Sequence, residues 1–313
     1  MKTRIALGVD IGGTNVAFGL CDEKGSSFYE SSLPTASFET PEEMVRAIHQ
    51  EIEKQGLIDS LVGIGVGAPN GNINTGSIEF APNLPWKGSI PLAELFENQF
   101  QIKTIVTNDA NAAAIGEMVY GNAKDLKDFV VITLGTGLGS GIVVNGNLIY
   151  GHDGFAGEFG HIRVVPNGRL CGCGRNGCLE TYVSATGVVR SANELDSPHK
   201  KNSAFSTLTD FSAQDIFELA INGDVFAQEI IEFTAETLGS ALADYACFSS
   251  PSVYILFGGI AKNGASFAEK VKYYMEQHIL NIYQNKIEVR ISTLHDKNAA
   301  VLGSCSLVWN ELN

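Results

Sequence analysis

The chain has 313 residues, 44% hydrophobic and 18% charged, a globular composition with room for one large domain or two ordinary ones. Its net charge of −14 at pH 7 repels phosphodiester backbones and anionic lipid, so neither a nucleic acid nor a membrane is expected as partner. The opening "MKTRIALGVDIGG" has an apolar run broken by Asp10, too short for a signal peptide or a span, and no other stretch approaches ~20 apolar residues; a soluble, cytoplasmic protein is expected.

"IALGVDIGGTNVAFGLCD", Ile5 to Asp22, reads as strand, glycine turn, strand. Gly12 and Gly13 let the backbone turn tightly and bring N–H groups near a polyanion. Thr14 adds a hydroxyl, and Asp10 at the strand end is placed to hold a magnesium ion through water. A tight hairpin without ligand has the same local sequence. Thr40, Pro41, Glu42 and Glu43 then spell a capping box, with Met44, Ile48 and Ile52 at helical spacing and Gly56 as the stop. "LVGIGVGAP" is a buried strand, and Asn70 to Gly88 is polar and turn-rich, which predicts a long functional loop. "KTIVTND" predicts a strand ending at Asp109, and "DANAAAIGEMVYG" a helix beginning there. An aspartate at such a junction is most often a helix cap. The functional alternative is a general base, because a carboxylate at a strand tip faces the crevice of an open α/β sheet.

"FVVITLGTGLGSGIVVNG", Phe129 to Gly146, repeats the strand, turn and strand. Its turn, Gly135, Thr136 and Gly137, makes a pair with the first, which favours a nucleotide phosphate site and two similar lobes. Neither is a Walker loop, since no Gly-Lys-Ser/Thr follows and each turn leads into a strand. "GHDGFAGEFGH" sets Glu158 and His161 among glycines, either as a site or as a mobile surface loop. Cys171, Cys173 and Cys178 follow, spaced C-x-C-x4-C. A reducing cytosol disfavours a disulfide, and a redox pair more often reads C-x-x-C. With His161 the three thiolates complete a Cys3His set for zinc, which leaves no open coordination position and therefore predicts a structural ion. Cys21, Cys247 and Cys305 stand singly among apolar neighbours and read as buried, inert thiols.

Residues 193–210 are the most loop-like stretch outside the motifs. "SAQDIFELAING", "DVFAQEIIEFTAETLGSALADYACF", "GASFAEKVKYYMEQHILNIY" and the terminal "KNAAVLGSCSLVWNEL" have helical character, and "SVYILFGG" and "IEVRIS" are strands. Strands alternating with helices make the fold class α/β.

Together these pieces resemble the ROK family of repressors and sugar kinases. "DIGGTN", "GAPNG", "APNLPW", "TNDANAAAIGE", "TLGTGLGSG", "GFAGEFGH", "CGCGRNGCLE" and "LFGGI" occur in the family's order over nearly the whole chain. The pairing of Glu-x-Gly-His with the cysteine motif is highly specific. The nearest likeness is to the ROK glucokinases, which phosphorylate glucose from ATP. The resemblance implies the two-lobed sugar-kinase and actin-like ATPase fold, with a duplicated α/β core and a cleft between lobes. Residues 1–107 would form the small lobe, completed by a C-terminal helix over 298–313, and 108–297 the large lobe, with the zinc knuckle at 161–178.

The resemblance also assigns roles. Asp109 would take the proton of the sugar's 6-hydroxyl. Asn83, Asn108, Asp109, Glu158, His161 and Glu180 would bind the sugar. Asp10, Gly12, Gly13, Thr14 and Asn15, with Gly135, Thr136 and Gly137, would serve the phosphates and Mg²⁺, and Gly258 and Gly259 would approach the adenosine. Carboxylates and amides suit a ring of hydroxyls, each of them donor and acceptor. Many family members carry lysine where this chain has Asn15, which removes a direct cation–phosphate contact there. Only nine residues precede Asp10, too few for the DNA-binding segment of the repressor branch. The expectation is thus a cytoplasmic glucose kinase of glycolysis, using ATP, Mg²⁺ and a structural Zn²⁺ and forming a homo-oligomer of two or four chains. The alternatives are a kinase for N-acetylmannosamine, N-acetylglucosamine, fructose or allose, a sugar-sensing regulator without catalysis, and an actin-like filament or chaperone ATPase.

Overall fold

The structure, a computed structural model, describes residues 4–206, 210–261, 264–294 and 299–312. In chain order the first elements are β1 (Ile5–Ile11), β2 (Asn15–Cys21), β3 (Ser27–Pro34), α1 (Pro41–Lys54), β4 (Leu61–Gly67), β5 (Gly71–Asn72), β6 (Ser77–Glu79), β7 (Ser89–Ile90), α2 (Leu92–Phe100), β8 (Thr104–Thr107) and α3 (Asp109–Tyr120). They are followed by β9 (Phe129–Leu134), β10 (Leu138–Val144), β11 (Asn147–Leu148), α4 (Glu180–Val183), α5 (Ala185–Glu194), α6 (Ala213–Ile221), α7 (Val225–Ser249), β12 (Val253–Phe257), α8 (Ala265–His278), β13 (Glu288–Ile291) and α9 (Ala299–Leu312). Packing divides the chain into one unit of Met1–Leu126, Asn147–Ala156 and Thr293–Asn313 and another of Lys127–Gly146 and Gly157–Ser292. The expected division after residue 107 puts α3 with the large lobe; here α3 packs along α9 and is grouped with the first unit.

In the first unit the sheet order is β3-β2-β1-β4-β8, with β1 antiparallel to β2 and parallel to β4. β1 and β4 are apolar almost throughout because both faces are covered. On α1 the apolar stripe Met44, Ile48, Ile52 is fully buried. Its Thr40 side chain accepts the Glu43 N–H at 3.3 Å, whereas the Glu43 carboxylate accepts from Glu39 N–H (3.0 Å) rather than from Thr40, so the expected capping box is half formed. α9 lies in a trench of glycines. A Cβ on Gly65 would run into the Ser304 carbonyl, one on Gly8 into the Val301 carbonyl, and one on Gly63 would stand 2.6 Å from Val308. The approach is reciprocal: a Cβ on Gly303 would lie 2.8 Å from the Ala112 carbonyl of α3.

In the second unit β9 is antiparallel to β10 and parallel to β12, which is parallel to β13. The run β10-β9-β12-β13 therefore repeats the relation of β2-β1-β4-β8, as the duplicated hairpin predicts. The 25-residue α7 supplies Ile230, Leu238, Leu242 and Tyr245 to this unit's core.

Several details differ from the sequence reading. Asn70 to Gly88 is not a plain loop: it contributes β5 and β6 to a small antiparallel sheet with β7. α8 stops at His278, short of the apolar residues to Tyr283. Within 193–210, α5 extends to Glu194 and short 3-10 turns occupy 200–202 and 204–206. Residues 207–209 lie outside the described residues, as do Lys297, Asn298 and Asn313 of the predicted terminal helix. Cys247 is exposed and so is not a buried thiol, whereas Cys21 and Cys305 are buried and meet each other across 284 residues. Among the described residues no helix is long and apolar enough to cross a membrane.

The trench makes a stability prediction. Gly65→Ala should destabilise the protein by about 1–3 kcal/mol, because backbone rather than a flexible side chain must yield. Thermal unfolding reads this directly, and an unchanged Tm would show that α9 does not depend on the close approach.

Candidate active site and metal centre

The first glycine turn joins β1 to β2. It is tied by Gly12 N–H donating to Asn15 O at 2.9 Å, by Thr35 Oγ1 donating to Gly12 O at 2.7 Å, and by Thr35 N–H donating to Thr14 O at 2.9 Å. A Cβ on Gly13 would stand 2.8 Å from the Asn83 carbonyl, so the turn and Asn83 are neighbours. Thr35 is fully buried and nothing in its local sequence pattern marked it.

Asp10 ends this strand, and Asp109 begins α3. The structure sets the helix cap one residue before Asp109. Asn108 is the N-cap, its Oδ1 accepting from Ala110 N–H at 2.8 Å. Asp109 is the first helical residue, with one carboxylate oxygen also accepting from Ala110 N–H at 2.9 Å. The Asp109 carboxyl reaches solvent, yet protein encloses its remaining sides, and that enclosure raises its pKa against the lowering influence of the Ala110 N–H. Asp10 is pushed up to about 7, first by burial and then by the Asp109 charge. Two hard carboxylates that resist joint ionisation suit Mg²⁺.

In the second unit the turn Gly135–Gly137 joins β9 to β10, closed by Gly135 N–H donating to Gly137 O at 3.1 Å. Gly258, at φ 103°, packs against it from β12: a Cβ there would lie 2.7 Å from the Leu134 carbonyl. Gly259 faces open space.

His161, Cys171, Cys173 and Cys178 converge, their ligand atoms all lying within 4.8 Å of one another. Cys171 Sγ is 3.6 Å from His161 Nδ1, and Cys173 Sγ is 3.6 Å from Cys178 Sγ. A tetrahedral ion with Zn–S bonds of ~2.3 Å requires edges of about 3.8 Å, so the donor set fits zinc. Electrostatics agrees. Burial pushes Cys171 up to about 12. At Cys173 burial is outweighed by donors from Arg175, Cys171 and Cys178, which bring it down to about 6. Clustered thiols share one negative charge among them unless a cation balances more.

The imidazole's other nitrogen, Nε2, lies 3.8 Å from a Glu158 carboxylate oxygen. Glu180 Oε1 is 3.7 Å from Cys171 Sγ, and its Oε2 accepts the Leu138 N–H at 3.0 Å. Glu158, His161, the three cysteines, Glu180 and the second glycine turn are therefore one connected group. In the first unit Asp10 feels the charge of Asp109, and Gly13 abuts the Asn83 carbonyl. The sequence reading missed Arg169, which is buried behind the knuckle. Its Nε donates to Glu194 at 2.8 Å, its Nη1 donates to Thr181 O at 2.7 Å, and its guanidinium stacks 4.4 Å over Tyr182. The Arg175 guanidinium, visible in the motif but given no role, donates to His161 O at 2.9 Å.

Comparison with known proteins places this geometry. A family model described as ROK family matches residues 6–311. A glucokinase of Halalkalibacterium halodurans is 36% identical, with the match covering 100% of this chain and 97% of that protein. A glucokinase of Streptomyces coelicolor is 34% identical over 97% of each. The solved structure of a ROK family glucokinase from Streptomyces griseus, in complex with glucose and AMPPNP, superposes with a TM-score of 0.80 at 33% identity, covering 97% of this chain and 98% of that one.

Elemental analysis of protein purified under reducing, chelator-free conditions should find about one zinc per chain, and Cys178→Ser should lose it. Persistent absence of zinc from the unaltered protein would refute the Cys3His site. Asp10 gives a pH test in metal-free buffer. Its folded-state pKa of about 7 exceeds the unfolded value, so the folded chain holds an extra proton between and stability falls as pH rises from ~4 to ~7. Asp10→Asn removes that loss, and its Tm advantage over wild type should be larger at pH 8 than at pH 5. Equal offsets at the two pH values would rule the raised pKa out.

Proposed function

The chain belongs to the ROK family, and on that footing we propose that it is an ATP-dependent glucose kinase, transferring the γ-phosphoryl group to the sugar's 6-hydroxyl. The identity to glucokinases over the full length supports the reaction and the substrate. The fold is the two-lobed α/β fold of ROK sugar kinases, a related core recurring in each unit. The observation that carries the reading is the division of labour at the start of α3. Because Asn108 caps the helix, Asp109 keeps a carboxylate oxygen for the substrate.

In the reaction O6 of glucose bonds to the γ-phosphorus, the bond to the β–γ bridging oxygen breaks, and ADP leaves with that oxygen's charge. The O6 proton passes to Asp109. Its raised pKa moves the carboxylate toward the range where a base works best near neutrality. In a loose transition state the hydroxyl loses its proton late, so orientation of O6 is a large part of what Asp109 supplies. Asn83, Asn108, Glu158, His161 and Glu180 hold sugar hydroxyls, and the backbone N–H groups of the turns Gly12–Thr14 and Gly135–Gly137 hold phosphate oxygens. Gly258 and Gly259 border the adenosine. Asp10 would hold Mg²⁺ through water, and the ion would supply the charge neutralisation that Asn15 cannot. His161 Nδ1 and the cysteines would hold zinc, which would fix the imidazole and leave Nε2 for the substrate. The enzyme works as a cytoplasmic homo-oligomer that commits glucose to glycolysis.

A coupled ADP assay over glucose, fructose, mannose, allose, N-acetylglucosamine and N-acetylmannosamine should give its highest kcat/KM with glucose. Asp109→Asn should lower kcat by ~10²-fold or more with fold and zinc intact. Near wild-type turnover in that variant would remove Asp109 from the mechanism, and preference for an acetylated hexosamine would replace the substrate.

A further inference from the structure

The second glycine turn carries a single side chain, that of Thr136. Its sequence is Gly135-Thr136-Gly137, and one internal hydrogen bond closes it. The Ile260 N–H reaches Leu134 O just before the turn, at 3.4 Å, and three further ties come from one short segment. Leu138 N–H donates to Glu180 Oε2 at 3.0 Å. Ala185 N–H donates to Gly135 O at 2.9 Å, and Thr186 Oγ1 donates to Thr136 O at 3.0 Å. The fit is tight, since a Cβ on Gly137 would fall 2.5 Å from Glu180 Oε2. Residues 180–186 thus clasp the turn at three successive points.

The same segment leaves the knuckle. Thr181 N–H and Oγ1 both donate to Cys178 O, at 3.0 and 2.8 Å. Leu179 N–H donates to Ile162 O at 2.9 Å, beside His161. Glu180 has one carboxylate oxygen at Cys171 Sγ and the other at the turn. The cysteines and the turn are thus joined through the bonds of Leu179 and Thr181 and through the Glu180 side chain.

We propose that the segment Glu180–Thr186 is a positioning device for the phosphate turn, with Glu180 as the link by which metal occupancy of the knuckle sets nucleotide affinity. Glu180 then has a task that does not need the sugar. The proposal rests on the reading of the two sites as a nucleotide turn and a zinc knuckle. Its prediction is that ATP analogues sense the metal in the absence of any sugar.

The test is calorimetric titration of the full-length zinc-loaded protein with AMPPNP and magnesium, without sugar, alongside zinc determination on each sample. Glu180→Ala should bind AMPPNP about tenfold more weakly at full zinc content, the loss of one charge-assisted hydrogen bond to the turn. Glu180→Gln keeps an oxygen for the Leu138 N–H and should stay within about twofold of wild type. Chelator-stripped wild type should also bind more weakly, whereas stripping Glu180→Ala should weaken it little further, because the link is already cut. Should the alanine variant fail to retain zinc, Thr186→Val carries the test, since it removes another tie of the turn away from the cysteines; severalfold weaker AMPPNP binding at full zinc is expected. A residue that only contacts sugar leaves all these sugar-free affinities equal, and equality would overturn the proposal. Wild type that holds zinc but binds no AMPPNP would instead sink the kinase reading, and the proposal with it.

Discussion

The contact on which the site depends is the meeting of His161 with Cys171, Cys173 and Cys178. The chain from Gly157 to Leu179 has almost no regular structure: one 3-10 turn at Phe159–His161 and two isolated bridges, Arg163 with Cys178 and Leu170 with Asn176. A segment of this kind has little backbone pairing to offset its conformational entropy. Four ligand atoms at one point, with Arg169 buried behind them and the Arg175 guanidinium against the His161 carbonyl, replace a sheet or helix as the source of order. Glu158 and Glu180 flank that point, so the aim of both carboxylates follows from it.

The electrostatics of the chain is consistent with phosphate binding of a particular kind. With 35 acidic and 21 basic residues, and with Asn15 in the first turn, the two glycine turns offer a phosphate dipoles rather than cations. Backbone N–H groups orient a polyphosphate but leave most of its charge. Asp10 and Asp109 add negative potential nearby, which is why burial and mutual repulsion raise Asp10. A divalent ion resolves both problems at once, since it lowers the cost of ionising the carboxylates and meets the phosphate charge. On the reading proposed above, the nucleotide would therefore arrive with its metal.

Much of this was legible in the residues, and what was not has physical reasons. The hairpins, α3, α7 and the grouping of His161 with three cysteines follow from glycine placement, helical periodicity and ligand chemistry, all of which are local. The small sheet of β5, β6 and β7 was hidden because strands of two or three residues are too short to show alternation. The Cys21–Cys305 contact and the Thr35 tie to Gly12 depend on tertiary proximity that no spacing rule reports. The cap at α3 is a subtler case. "TNDAN" offers two adjacent capping side chains, and only the backbone decides between them. Asn108 has the extended conformation of a cap, φ −66° and ψ 148°, which leaves Asp109 inside the helix.

The glycine trench beneath α9 was equally invisible as a trench, although each glycine stood in plain view within a strand. Gly8, Gly63 and Gly65 look like weaknesses in buried strands, because each costs entropy and packs nothing. They become intelligible only when a helix backbone lies where their side chains would be.

The duplicated hairpin finally shows what repetition did and did not copy. Both turns lie between antiparallel strands, and both precede a parallel crossover pair. Their outer supports differ. The first turn is tied by Thr35 and pressed on the Asn83 carbonyl, elements of its own sheet and the loop after β6. The second is held by Glu180, Ala185 and Thr186, a segment emerging from the metal centre. Strand pairing fixes only where a turn is; the hydrogen bonds on its outer face fix how its N–H groups point. With those bonds drawn from different elements, the two turns answer to different constraints. One is set by the fold itself, and the other by a segment that leaves a cluster of one histidine and three cysteines.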